Sequence, residues 1–354
     1  MACDQCDKCR AMGYKFCIKC GESFADTAQV PDYSVDDGGL LGDGFLNKTV
    51  IPSMIVILIS IIIDVALVIG DFIPTFDFLS TYSTSTYIFL PVYIKLATLT
   101  GTWIQAEWVF IAIVLIASAV LILCKSKPVF TSIGNGYAEA TKKTPLFWIS
   151  MMLGSTLILE LIITLLAGAL GADTKVPSGL IDLTLEESLF EFGEAAVCEE
   201  LAFRFFWIGI PMAIVALVCK KKDFYKCLVG GFGMSKVAFV FLIISSVIFA
   251  YAHVSGWGLW KMFPVMLGGF AMGYLFIRFG LYASIMFHMV NDYLAVWTSV
   301  STAVALPLEL CILLFGLVCI PILFKKTIKG AKNLNGLPMT GFEDQEESND
   351  SSTD

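Results

Sequence analysis

Residues 195–219 read AAVCEELAFRFFWIGIPMAIVALVC. A helix needs about 20 predominantly apolar residues to cross a bilayer, and this run is long enough. Yet Glu199, Glu200 and Arg204 lie inside it. A charged side chain at the bilayer centre costs roughly 2.5–3.5 kcal/mol on insertion scales, so ionisable groups there are functional candidates by default. Further apolar runs flank this one, at about 51–70, 107–124, 146–170, 237–255, 260–279, 282–300 and 304–324. A backbone in lipid must satisfy its own hydrogen bonds, which favours helices. The expected fold is therefore an all-α polytopic membrane protein of about eight transmembrane helices with a small N-terminal zinc ribbon.

Composition agrees with that class. Hydrophobic residues make up 57% of the 354-residue chain and charged residues 15%, against about 25% charged in soluble domains. The mean hydropathy is +0.80. A net charge of −8 argues against a nucleic-acid partner and leaves membrane lipid as the expected surroundings. Part of that charge sits in EDQEESNDSSTD, residues 343–354. Residues 326–354 are expected to form an acidic, disordered cytosolic tail. No apolar leader core precedes Thr49, so the first hydrophobic segment is expected to serve as an uncleaved anchor.

Residues 3–20, CDQCDKCRAMGYKFCIKC, hold two short-spaced cysteine pairs, Cys6 with Cys9 and Cys17 with Cys20. Four thiolates in such pairs suit a tetrahedral structural zinc ion, and a site this short folds only with its metal. Cys3 leaves the choice of first pair open. The expected organisation is a zinc-ribbon-like region at 1–24, a Gly- and Asp-rich linker at 25–48 and a membrane domain at 49–325. The remaining cysteines are scattered and do not resemble a disulfide framework.

Basic residues set an orientation. Lys125, Lys127, Lys142 and Lys143 lie between the second and third apolar runs, and Lys220, Lys221, Lys222 and Lys226 follow the fourth. Arg278 ends the sixth, and Lys325, Lys326 and Lys329 follow the eighth. The positive-inside rule then places both termini in the cytosol of a multi-pass integral membrane protein. Thiolate zinc ligands, which favour a reducing compartment, agree. Residues 86–100, TYIFLPVYIKLATLT, are apolar but contain Pro91 and Lys95. Counting them as a helix would move the lysine-rich loops to the wrong face, so they are expected to be interfacial or re-entrant.

The chemistry concentrates in three segments. Glu200 and Arg204 are four residues apart, in the favourable order for a helical ion pair. Glu199 points elsewhere without that partner, as a general base does. Phe249 and His253 share a helix face, and so do His288 and Asp292. A carboxylate on one imidazole nitrogen fixes the tautomer and aims the other. His253 and His288 are the chain's two histidines, each with a partner at helical spacing.

EELAFR, FAYAH and HMVND resemble, in order, the motifs EExxxR, FxxxH and HxxxN/D. Those motifs belong to the CAAX protease and bacteriocin-processing family of intramembrane endopeptidases, which includes the CAAX prenyl proteases. The resemblance covers about residues 146–300, and eight helices are common in the family. It implies that Glu199 and His253 activate a water for attack on a peptide carbonyl. It further implies that His288 with Asp292 stabilises the oxyanion, while Glu200, Arg204 and Phe249 support the site. The implied substrate is a membrane-associated peptide or protein, including prenylated or leader-bearing ones. An ionised Asp292 cannot donate to an oxyanion, so it must be protonated or orient His288. Asn291, a neighbour round the helix, is a poor substitute.

Glu and two His could also ligate a catalytic zinc ion, but no HExxH motif is present, and a metal-free glutamate-activated water is the expectation. Cys198 has no basic neighbour that clearly lowers its pKa, so a nucleophilic role is not favoured. Asp64 and Glu160 are open between cavity lining and helix packing, and Glu186, Glu187, Glu191 and Glu194 are expected to be a solvated helix entry. Counting residues from the helix ends places Glu199 and His253 deeper than His288. A shared site then needs a tilt or kink, for which Gly209 and Pro211 are candidates. A proton-coupled transporter or a non-catalytic scaffold would use similar buried groups.

Overall fold

The computed structural model describes residues 43–89, 92–132 and 141–332. The chain divides into two units, Met1–Phe45 and Leu46–Asp354, and the account concerns the second. Its membrane-length helices are α1 (Asp43–Gly70), α3 (Thr102–Lys125), α5 (Pro145–Ala169), α6 (Leu185–Val218), α7 (Lys236–Trp257), α8 (Met262–Phe279) and α9 (Leu281–Lys332). Two short helices, α2 (Phe72–Phe78) and α4 (Lys127–Ser132), follow α1 and α3. The fold is the expected all-α polytopic membrane protein.

Local chemistry starts these helices where they begin. Thr144 accepts from the Phe147 amide, with Pro145 in the first turn of α5. Thr184 and Glu187 form a reciprocal capping box at α6, and Ser235 caps α7 by accepting from the Ala238 amide.

The two last expected spans, 282–300 and 304–324, both lie in α9. That helix would run ~66 Å if its membrane-length part, Leu281–Phe324, were straight. It is not straight, since Ser301 adopts φ −160° and ψ 99°. Leu294, Ala295 and Thr298 before the break line the same cleft as Glu309 and Leu313 after it. The chain therefore doubles back at Ser301. The returning arm packs on α5 where Gly154 faces Gly316, and a Cβ on Gly154 would sit 2.9 Å from the Gly316 Cα.

Residues 83–100 form an antiparallel β-hairpin, β1 (Ser83–Phe89) and β2 (Tyr93–Thr100). The register shifts between Thr86 and Tyr87, leaving Leu96 without a partner. This refines the expectation of a non-spanning piece. Tyr82 donates to Glu191 Oε1 at 2.9 Å, and Tyr93 donates to the Ala252 carbonyl at 2.7 Å. The hairpin is thereby tied to α6 at its base and to α7 near its tip.

The turn at 227–231 explains why counting along α6 misjudged depth. A Cβ on Gly209 would lie 3.0 Å from the Leu228 carbonyl oxygen, and the Gly231 amide donates to Phe276 O at 2.9 Å. Gly209 of α6 is thus level with the end of α8. Residues 210–218 continue past that level, so the end of α6 is no marker of the depth used by α8 and α9.

Candidate active site

The five helices α5 to α9, with β2, surround one cavity of about 410 Å³, lined by Glu199, His253, His288 and Asp292 among others. The segments Ala195–Glu199 and Leu201–Gly209 of α6 are π-helical. Such widened turns recur at functional sites. The first segment carries Glu199 to the cavity and the second carries Arg204 into the protein, as does Glu200 between them. Glu199 is about a third exposed (32%), whereas Glu200 and Arg204 are fully buried (0%).

Glu199 Oε2 lies 3.9 Å from His253 Nε2 and 3.8 Å from His288 Nε2. The His253 Nδ1–H faces the Phe249 carbonyl at 2.9 Å, which turns Nε2 toward Glu199. His288 is fixed by Glu200, whose Oε1 lies 3.0 Å from Nδ1. Glu200 also receives the Ser284 hydroxyl on Oε2 and stands 3.1 Å from Arg204 Nη2. One buried carboxylate therefore organises α6 and α9 together.

Asp292 occupies a different place from the one spacing suggested. It lies 3.3 Å from His288 Nε2, the nitrogen that also faces Glu199, not on the far side of the ring. The far nitrogen belongs to Glu200. Asn291 also lines the cavity, and its amide donates to Asp292 Oδ1 at 3.0 Å.

Phe249 is the apolar hub. Its ring centroid lies 4.7 Å from that of His253 and 6.2 Å from that of His288, edge-on to both. The Arg204 guanidinium carbon stands 4.5 Å above its face. The helical partners Glu200–Arg204, Phe249–His253 and His288–Asp292 are thus all in contact.

Several neighbours had no clear signal in the sequence. Glu160 lines the cavity from α5, and Asp64 is instead completely buried, accepting the Trp297 indole N–H at 2.7 Å. Glu191 and Glu194 also line the cavity, so the α6 entry is not merely solvated. Glu107, Glu194 and Cys198 place potential ligand atoms within 4.8 Å of one another, the one such grouping among the described residues. Tyr93 reaches the cavity from β2, and burial, with the Glu199 charge, raises its pKa, keeping the phenol a hydrogen-bond donor. Cys6, Cys9, Cys17 and Cys20 lie outside the described residues.

A glutamate facing two imidazoles inside a bundle of membrane-length helices is an arrangement able to carry out acid–base chemistry. Residues 187–294 match the family described as type II CAAX prenyl endopeptidase Rce1-like, and this segment contains every one of the three motifs. The matched segment supports a place for this domain among the CAAX-type membrane proteases of the CAAX protease and bacteriocin-processing family. No curated protein and no solved structure gives a match.

Proposed function

We propose that the chain is an intramembrane endopeptidase that hydrolyses peptide bonds by a water activated between Glu199 and His253. The observation that carries this is the 3.9 Å separation of Glu199 Oε2 and His253 Nε2. One water hydrogen-bonded to both at ~2.8 Å fits between them. Glu199 takes the proton as the water oxygen attacks the scissile carbonyl, and His253 Nε2 aims a lone pair. His288, held by Glu200, presents Nε2 on the opposite side of Glu199, where a protonated ring can donate to the developing oxyanion. Asp292 then supports the imidazolium. The tetrahedral intermediate collapses when Glu199 returns its proton to the leaving amine. Glu200, Arg204 and Phe249 position these groups without touching substrate.

The substrates of this site are membrane-associated peptides or proteins, with prenylated and leader-bearing peptides as the leading classes. The site works without a catalytic metal. Cys6, Cys9, Cys17 and Cys20 hold a structural zinc ion within a 1–24 ribbon, followed by a 25–48 linker, the 49–325 protease domain and the 326–354 tail. Both termini are cytosolic.

Glu199→Ala and His253→Ala should each lower cleavage of a membrane peptide by at least about 10²–10⁴-fold, with unchanged elution and melting in detergent. Wild-type turnover by either folded variant would sink the mechanism. Collapse of a pH gradient in proteoliposomes, with no cleavage, would favour the transporter reading instead.

A further inference from the structure

The cavity lining reaches the surface at one end of the bundle, where Leu180, Ser255 and Gly256 are exposed. Its mouth is formed by Tyr93 in the hairpin, Leu180 in the α5–α6 connection, and Gly256, Trp257 and Lys261 at the α7–α8 turn. These connections follow successive odd-numbered crossings of the chain, so they share a face. The Tyr82–Glu191 and Tyr93–Ala252 hydrogen bonds tie them together there. The α3–α5, α6–α7 and α8–α9 connections form the other face. There Leu146 N donates to Ser126, and the 227–231 turn packs against Gly209 and Phe276.

Charge separates the two faces. The connections at the mouth carry one lysine each: Lys95, Lys175 and Lys261. The opposing connections carry Lys125, Lys127, Lys142 and Lys143, then Lys220, Lys221, Lys222 and Lys226, then Arg278. Short connections obey the positive-inside rule most strictly. The lysine-rich face is therefore cytosolic, and the mouth faces away from it.

Depth along the helices does not choose between the faces, since one histidine lies near each. His253 lies five residues before Gly258, ~7 Å from the mouth-side end of α7. His288 lies eight residues beyond Gly280, ~12 Å in from the lysine-rich face.

We infer that the catalytic cavity receives its substrates from the non-cytosolic side of the membrane, which selects exported or leader-bearing polypeptides over prenylated cytosolic tails. This rests on the endopeptidase reading above. A prenylated tail on a cytosolic protein meets the lysine-rich face, with the helix bundle between it and the mouth.

The test labels intact cells expressing the full chain with a membrane-impermeant maleimide. The exposed native thiols Cys124 and Cys219 end α3 and α6 on the lysine-rich face and serve as internal controls. Lys95→Cys should label about tenfold above wild type in intact cells, and wild type should reach that level only after permeabilisation. Lys175→Cys gives a second probe should the hairpin variant fail to fold. Labelling of wild type in intact cells, with no increment from either variant, would overturn the inference. The second arm compares one reporter peptide exported and anchored outside with a farnesylated reporter anchored inside, using Glu199→Ala as the blank. Cleavage of the exported reporter alone supports the inference, and cleavage of the farnesylated one alone overturns it. Cleavage of neither removes the endopeptidase reading and the substrate assignment with it, while the labelling still decides the orientation.

Discussion

Arg204 is a buried guanidinium whose charge is met by Glu200 at 3.1 Å and by the Phe249 face at 4.5 Å. Removing one member of a buried ion pair leaves an uncompensated charge and costs about 3–5 kcal/mol. Arg204→Met should therefore destabilise the purified protein by that amount in detergent denaturation. The double variant Arg204→Met with Glu200→Gln should cost less than the sum of its parts, because neither charge is then stranded. The three motif pairs were legible as residues because helical spacing alone puts i and i+4 on one face. What spacing could not supply was the partner across helices. Spacing pairs Asp292 with His288, either protonated or as its orienter, but the far nitrogen of that ring is held by Glu200, from another helix.

At the scale of elements, Gly154 and Gly316 let α5 and the returning arm of α9 touch backbone to backbone. Small residues serve this purpose between membrane helices, where apolar side chains gain little by leaving lipid. A Cβ at Gly316 would overlap the Gly154 main chain, and overpacking typically costs about 1–3 kcal/mol or more. Gly316→Val should lower the melting temperature by several degrees, whereas Leu317→Val beside it, lipid-facing and 52% exposed, should not. The helices themselves were legible from apolar length, within a few residues for most. The hairpin was not, although Thr, Tyr and Ile enrichment over 83–100 is a strand signal. In a chain this apolar, that signal was outweighed by hydropathy. Depth failed for a related reason, since the stretch 210–218 is as hydrophobic as a span yet runs past the end of α8.

Across the whole molecule, a cysteine-rich N-terminus precedes the protease domain. Four thiolates with zinc at one ion per chain is the expected stoichiometry, measured by mass spectrometry of the purified full chain. Cys6→Ser with Cys17→Ser should lose the metal, while unchanged zinc content would remove the assignment. The hairpin gives the assembly a further property. A two-stranded sheet has two open edges of peptide groups, and hydrocarbon tolerates no such edge. β2 exposes almost every residue, so these strands must sit in water or among headgroups. They mark a waterline on the bundle. Because Tyr93 joins that waterline to the segment bearing His253, the bilayer cannot rise over the cavity without tearing the hairpin away. A protein otherwise made of helices thus sets the immersion of its catalytic residues with a float of β-structure.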